Sequence, residues 1–171
     1  SYGNGFSEFC IGKVLVDSNV HINTKVGNMP FIGKQFNIES LNDSFHQSLV
    51  RLARESVNIL FLHNPRDDIE NIEEVLQFMD GLKDEGKIAH KGVSLAKNYD
   101  YSVEFLSRFD VIQDDANLLA MDFLDLPLGN EATFMARSPL ASGLLAGKIS
   151  TDSVFPQDDH RSGWLINSRL E

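Results

Sequence analysis

Short apolar runs in this chain each end on a side chain able to do chemistry: Lys25 after V-H-I-N-T, His63 after I-L-F-L, Ser94 after H-K-G-V, Gln113 after D-V-I, and Arg137 with Ser138 after T-F-M-A. Each also has a plain structural reading. Lys25 can reach solvent along its own methylenes, His63 can be a hydrogen-bonded residue at a core edge, and Gln113 can close a strand. Taken together they suggest more. A lysine and a histidine at the ends of successive parallel strands would converge on one pocket, and that pair can hold an acidic hydroxyl and a substrate carbonyl. A divalent metal is the competing chemistry, because His63, Asp67, Asp68, His90, Asp114 and Asp115 offer nitrogen and oxygen ligands. The spacing argues against it: there is no H-x-H pair and no H-E-x-x-H, and His90 falls near the start of its run. Asp67 and Asp68 read more simply as the negative first turn of a helix following Pro65. No metal is expected.

The runs that must position these residues cover 20–26, 57–62, 88–94, 110–113 and 133–138. Continuous apolar character with turn residues beside it predicts strands buried on both faces. Helical patterns lie between them. In N-I-E-S-L-N-D-S-F-H-Q-S-L-V-R-L, Ile38, Leu41, Phe45, Leu49 and Leu52 share one helix face, Asn37 is placed to cap the N-terminus, and Asp43, Gln47 and Arg51 fall on the polar face. The segment N-I-E-E-V-L-Q-F-M-D-G-L-K-D-E-G repeats the logic with Ile72, Val75, Met79 and Leu82, and stops at Gly86. In the helical pattern S-E-F-C-I-G-K-V-L, Cys10 reads as a small packed apolar residue rather than a nucleophile.

Alternating strands and helices with short connections imply parallel strands joined by crossovers. An open doubly wound sheet would carry G-x-G-x-x-G after a strand, and none is present, so a barrel is favoured. A complete eight-unit barrel needs ~250 residues. The 171 residues here, with five strand-like runs and no linker or repeat, therefore read as a single domain over 1–171 that holds part of a (β/α)₈ barrel, about five βα units. Absent strands would leave open edges, through which self-association is expected.

Bulk properties narrow the function classes. Twenty-five acidic against fifteen basic residues give a net charge of −10, which opposes binding to nucleic acid. No run of apolar residues is long enough to span a membrane, no export leader is visible, and Cys10 is the only cysteine, so a reducing, cytoplasmic setting is expected.

The ordered set S-Y-G-N-G-F-S-E, I-N-T-K-V-G, L-H-N-P, G-V-S, I-Q-D-D-A-N-L-L, A-R-S-P-L-A-S-G-L-L-A-G-K and F-P-Q-D-D-H-R-S-G-W-L resembles the aldo-keto reductases, particularly bacterial-type members. The family fold is a (β/α)₈ barrel. The resemblance implies NAD(P)H-dependent reduction of an aldehyde, ketone or sugar carbonyl, or the reverse oxidation. Tyr2 would be the proton donor, Lys25 the cation that favours its ionised form, and His63 the group that binds the carbonyl oxygen. It further places Ser94 and Gln113 at the nicotinamide carboxamide, Arg137 where many relatives stack an aromatic, and Ser138, Leu140 and Gly143 along the pyrophosphate, with NADP(H) ahead of NAD(H). Two positions depart from the pattern: Leu95 stands for a frequent asparagine and Ala116 for an aromatic. The family's aspartate partner of the lysine would lie upstream of Ser1, and its adenosine-ribose segment beyond Glu171. The alternative is a cofactor-binding or regulatory barrel, or an inactive truncated fragment, without turnover.

Overall fold

Leu60, Leu62, Val93 and Ile112 are inaccessible to solvent, and they sit on strands with the two-sided burial that continuous apolar runs anticipate. In the computed structural model the strands are β1 (Asn23–Val26), a short hairpin of β2 (Asn28–Met29) and β3 (Gly33–Lys34), then β4 (Val57–His63), β5 (Ile88–Ser94), β6 (Val111–Asp115) and β7 (Thr133–Arg137). The structure describes residues 2–29, 31–66, 69, 71–97, 99–126, 128, 132–150 and 152–162. The first strand is shorter than its apolar run predicts. Val20 and His21 are exposed, and the backbone just before them is held as a loop by Arg54, whose Nη2 donates to Leu15 O and, at 2.6 Å, to Ser18 O.

The main sheet runs β1-β4-β5-β6-β7, and the pairs β1 with β4, β4 with β5 and β5 with β6 are parallel. Each strand is added on the same side as the one before. A doubly wound sheet reverses its order at a switch point. This one does not, which is the winding of a barrel. The fold is α/β of the (β/α)₈-barrel type, of which the chain carries part.

Helices α1 (Phe6–Val14), α2 (Ile38–Leu52), α3 (Ile72–Asp84) and the single turn α4 (Val103–Leu106) lie between the strands. Helix α2 begins as its sequence predicts, with the Asn37 side chain accepting from Ser40 N at 2.9 Å, and buries Leu41, Phe45, Leu49 and Leu52. The cap is worth about 1 kcal/mol, and each buried side chain about 1.5–3 kcal/mol. Packing therefore dominates the helix's stability. Helix α3 buries Val75, Leu76, Met79 and Leu82, starts acidic at Glu73 and Glu74, and is followed by Gly86 at φ +70, the left-handed conformation expected past a helix end.

Helix α1 corrects the sequence reading. Cys10 is exposed, and the residues α1 buries are Glu8 and Gly12. Phe6, Phe9 and Val14 face solvent instead. An ideal Cβ on Gly12 would stand 2.2 Å from Arg51 O, so the helix approaches the end of α2 closely along its glycine, and that approach turns Cys10 outward. Arg51, expected on a polar surface, is drawn inward by the buried Glu8 carboxylate, with Nε 2.7 Å from Oε2.

Gly92 shows how tightly the sheet is packed. An added Cβ would lie 2.4 Å from Phe61 Cδ1 and 2.9 Å from Ile59 Cγ2, and Phe61 is only 1 % exposed, packed in a cluster with Ile59, Val111 and Met135. Gly92→Ala is expected to destabilise the protein by about 1–3 kcal/mol through overpacking, measured by denaturant unfolding. Phe61→Leu in the same chain should recover part of that loss.

Contacts gather the chain into two units: Ser1–Asp114 with Pro127–Met135, and Asp115–Leu126 with Ala136–Glu171. The first holds the helices and most of the sheet. The second holds the ends of β6 and β7 and the Ala141–Ala146 stretch of 3₁₀ turns. Among the described residues no helix is long and apolar enough to cross a membrane.

Candidate active site

Parallel partners in register share a face of the sheet, and side chains along a strand alternate between faces. Asn23, Ile59 and His90 form one row; Lys25, Phe61, Gly92 and Val111 form the next; His63, Ser94 and Gln113 form the row at the C-terminal ends of the strands. Active sites of parallel barrels are built at those ends. His90, considered as a metal ligand, lies at the opposite end of this face.

Lys25 bridges two rows. Its Nζ donates to Ser94 Oγ at 2.9 Å and to Gln113 Oε1 at 2.5 Å, and Ser94 Oγ donates to Gln113 Oε1 at 3.1 Å. The same ammonium lies 5.8 Å from the Phe61 ring centroid and 5.6 Å from that of Tyr2, within cation–π range. Ser94 is fully buried. Gln113 Nε2 is turned toward Met135 Sδ at 3.4 Å, a weak acceptor. Opposite charge sits on Asp110 just before β6. Burial raises its pKa, but hydrogen bonds from Lys83 and from the Lys91 backbone N–H outweigh that and hold the carboxyl below the usual range, tying the start of Gln113's strand to β5 and α3.

Tyr2 comes from a 3₁₀ turn, Tyr2–Gly5, with Gly3, Asn4 and Gly5 at φ 60, 53 and 93. Glycine suits position 5: its φ strains any side chain, and a Cβ would stand 2.6 Å from Arg51 Nε, so Arg51 would have to shift. The turn sets the Tyr2 ring 5.8 Å from the His63 ring, tilted by 60°. Tyr2 is 57 % exposed, so its hydroxyl can meet a ligand. A phenol, an ammonium and an imidazole thus converge at one strand end, beside a buried hydroxyl and a carboxamide.

The loop leaving His63 is fixed by residues that sequence reading overlooked. Asn64, at φ 53, donates its backbone N–H to Ser94 O at 2.8 Å. With its amide nitrogen facing them, its side chain also donates to Ser94 O and to Leu95 O at 2.9 Å. Tyr101, buried, donates to Pro65 O and accepts from Ala96 N at 2.9 Å. The H-N-P order carried part of this signal, since Asn tolerates the left-handed turn. Nothing local marked Tyr101.

In the second unit, Arg137 and Ser138 meet on Asp115, with Arg137 Nε at 2.7 Å and Ser138 Oγ at 3.0 Å from its Oδ1. Asn117 Nδ2 donates to Ser138 O at 3.0 Å. Leu140 is 55 % exposed, and Gly143 lies at φ +96 inside the Ala141–Ala146 stretch. The D-H-R segment forms a bidentate pair, Arg161 Nε and Nη2 on the Asp159 carboxylate at 2.9 and 2.7 Å, which holds that carboxyl well below its ordinary range. Among the described residues no group of three or more His, Cys, Asp or Glu could hold a metal ion. Asp67 and Asp68 lie outside the described residues.

Residues 1–166 match the model of the Aldo/keto reductase family. The chain belongs to the aldo-keto reductase family. It is 29 % identical to the aldo-keto reductase YhdN of Bacillus subtilis strain 168, over 95 % of this chain and 52 % of that protein. It is 28 % identical to a probable voltage-gated potassium channel subunit beta of Arabidopsis thaliana, over 99 % of this chain and 58 % of that one. Among solved structures, the glycerol dehydrogenase AKR11B4 of Gluconobacter oxydans superposes with a TM-score of 0.76 at 25 % identity, covering 99 % of this chain and 55 % of that one. The chain spans about half the length of the aldo-keto reductases it matches.

Proposed function

We propose that the chain forms the reacting face of an NAD(P)H-dependent carbonyl oxidoreductase that takes an aldehyde, ketone or sugar. The observation that carries this reading is the meeting of Tyr2, Lys25 and His63 at the strand ends that also bear Ser94 and Gln113. A nicotinamide supplies hydride when bound, a chemistry that no side chain has. The polar set fits such a group: a primary carboxamide accepts through its oxygen and donates through its NH2, Gln113 Nε2 can donate to that oxygen in place of its weak bond to the Met135 thioether, and the buried Ser94 hydroxyl can accept from the NH2.

The chain's own groups then divide the work. Tyr2 gives its phenolic proton to the substrate oxygen as hydride reaches the carbonyl carbon, and the two together complete the alcohol. Lys25, beside the ring, stabilises the tyrosinate left behind until solvent returns the proton. His63 donates a hydrogen bond to the oxygen as negative charge builds there. NADP(H) is the cofactor proposed ahead of NAD(H). Ser138, Leu140, Gly143 and Arg137 are proposed to line the pyrophosphate and ring side of the cofactor. A single domain over 1–171 is proposed, a reading supported by a family match that spans residues of both compact units.

The likeness to a potassium channel subunit beta favours a second reading, a cofactor-binding member that regulates a partner without turnover. Titrating NADPH with the protein and then adding small aldehydes tests both. The expected result is a saturable change in cofactor fluorescence followed by consumption of NADPH. A flat titration overturns the proposal, and binding without consumption selects the second reading.

A further inference from the structure

Glu8 is a carboxylate that the reaction just described does not use, yet it is buried to 5 % exposure. An isolated carboxylate placed there would carry a large desolvation cost. Three features offset it. Thr24 Oγ1 donates to Glu8 Oε1 in a short hydrogen bond, Arg51 Nε donates to Oε2 at 2.7 Å, and Glu8 lies in the first turn of α1, where the helix dipole favours negative charge. Arg51 is itself steadied by Ser48 Oγ and Gln47 Oε1, at 3.3 and 3.4 Å.

What this carboxylate joins is informative. Thr24 immediately precedes Lys25 on β1. Since neighbouring side chains point to opposite faces, holding Thr24 toward α1 aims Lys25 into the site. On the other side, α1 follows directly from the turn that carries Tyr2, and Arg51 packs against Gly5, the last residue of that turn. The two halves of the proposed proton-transfer pair are separated in the chain by all of α1 and the loop after it. Glu8 is the group that bonds to the strand of one and lies in the helix that anchors the other.

We infer that Glu8 is a positioning residue: through Thr24 and Arg51 it fixes the distance between the Lys25 ammonium and the Tyr2 phenol, and so keeps the pair placed for the proton transfer. The inference rests on the reading of Tyr2 and Lys25 given above. Among the described residues, Lys25 and His63 lie beside the Tyr2 ring, and Arg51 pairs with Glu8.

Two substitutions loosen the link while leaving every charge in place. Thr24→Val removes the hydroxyl from a buried β-strand position that suits valine, and Glu8→Asp shortens the reach so that one carboxylate no longer spans both partners. The nuclear Overhauser effect between the Lys25 ε-methylene and the Tyr2 ring reads their separation directly and needs no substrate. In both variants it is expected to weaken, because the strand that carries Lys25 is no longer tied to the helix that follows the Tyr2 turn. The kcat for aldehyde reduction should fall about tenfold with the KM for NADPH unchanged, and Thr24→Ser, which keeps the hydroxyl, should behave as wild type. An unchanged Lys25–Tyr2 effect in folded Thr24→Val and Glu8→Asp overturns the inference. If Thr24→Val does not fold, Glu8→Asp alone decides. Should the wild-type protein reduce no carbonyl while the Lys25–Tyr2 effect still weakens in the variants, the positioning role stands and the assignment of the reaction falls.

Discussion

Tyr2→Phe is expected to lower the kcat of carbonyl reduction by about 10²–10⁴-fold, the range over which a positioned general acid contributes, with NADPH affinity unchanged. The substitution is narrow by construction. Phenylalanine keeps the ring that stands 5.8 Å from His63 and 5.6 Å from the Lys25 ammonium, so the neighbours keep their packing and only the phenolic hydroxyl goes. Since Tyr2 is 57 % exposed, no buried partner of its hydroxyl is stranded, and the melting temperature should hold. The loss corresponds to about 3–5 kcal/mol of barrier. No rim contact supplies that much, whereas a proton delivered as charge develops on oxygen does. Steady-state NADPH oxidation with a small aldehyde, beside a cofactor titration, measures both quantities. A fall of less than tenfold would mean that water or His63 supplies the proton, and Tyr2 would lose its role.

The middle of the sheet was legible because burial on both faces writes a continuous apolar run, most clearly on β4. The runs at 57–62 and 88–94 become β4 and β5 nearly residue for residue, and the spacing of Leu41, Phe45, Leu49 and Leu52 fixes the buried face of α2. The signal failed at α1. There the apolar residues Phe6, Phe9 and Val14 are exposed while Glu8 and Gly12 are buried, so hydrophobicity pointed the helix the wrong way. A carboxylate turned inward is a tertiary fact. It depends on Thr24 and Arg51, which are distant in sequence, and no periodicity within α1 encodes them.

The candidate site was half legible for a related reason. Apolar runs locate the strand ends, so Lys25, His63, Ser94 and Gln113 stand out as candidates from the order of residues alone. Tyr2 ends no strand, and only the order of short motifs brought it forward. Phe61 and Gly92 went unmarked because their importance lies in register: the small residue in one strand admits the large ring of the next, and that ring underlies the Lys25 ammonium.

Lys25→Met is the other substitution expected to act strongly, with kcat falling by roughly a hundredfold, comparable to losing one electrostatic stabiliser of a developing charge. Methionine preserves much of the lysine's length and apolar stem, so packing over Phe61 survives while the charge disappears. Two consequences should separate. Ser94 Oγ and Gln113 Oε1 lose their charged donor and can turn toward other partners, which changes cofactor affinity. Tyr2 loses the cation beside its ring, which changes proton transfer. Ser94→Ala isolates the first, so the double-mutant cycle of Lys25→Met with Ser94→Ala, read separately in NADPH affinity and in kcat, apportions them. The expected pattern is coupling in affinity and near-additivity in kcat. Lys25→Arg should restore only part of the rate, because a planar guanidinium does not reproduce a point charge that reaches Ser94, Gln113 and the Tyr2 ring at once. A loss confined to cofactor affinity would assign Lys25 to the Ser94–Gln113 network alone and remove it from the proton transfer.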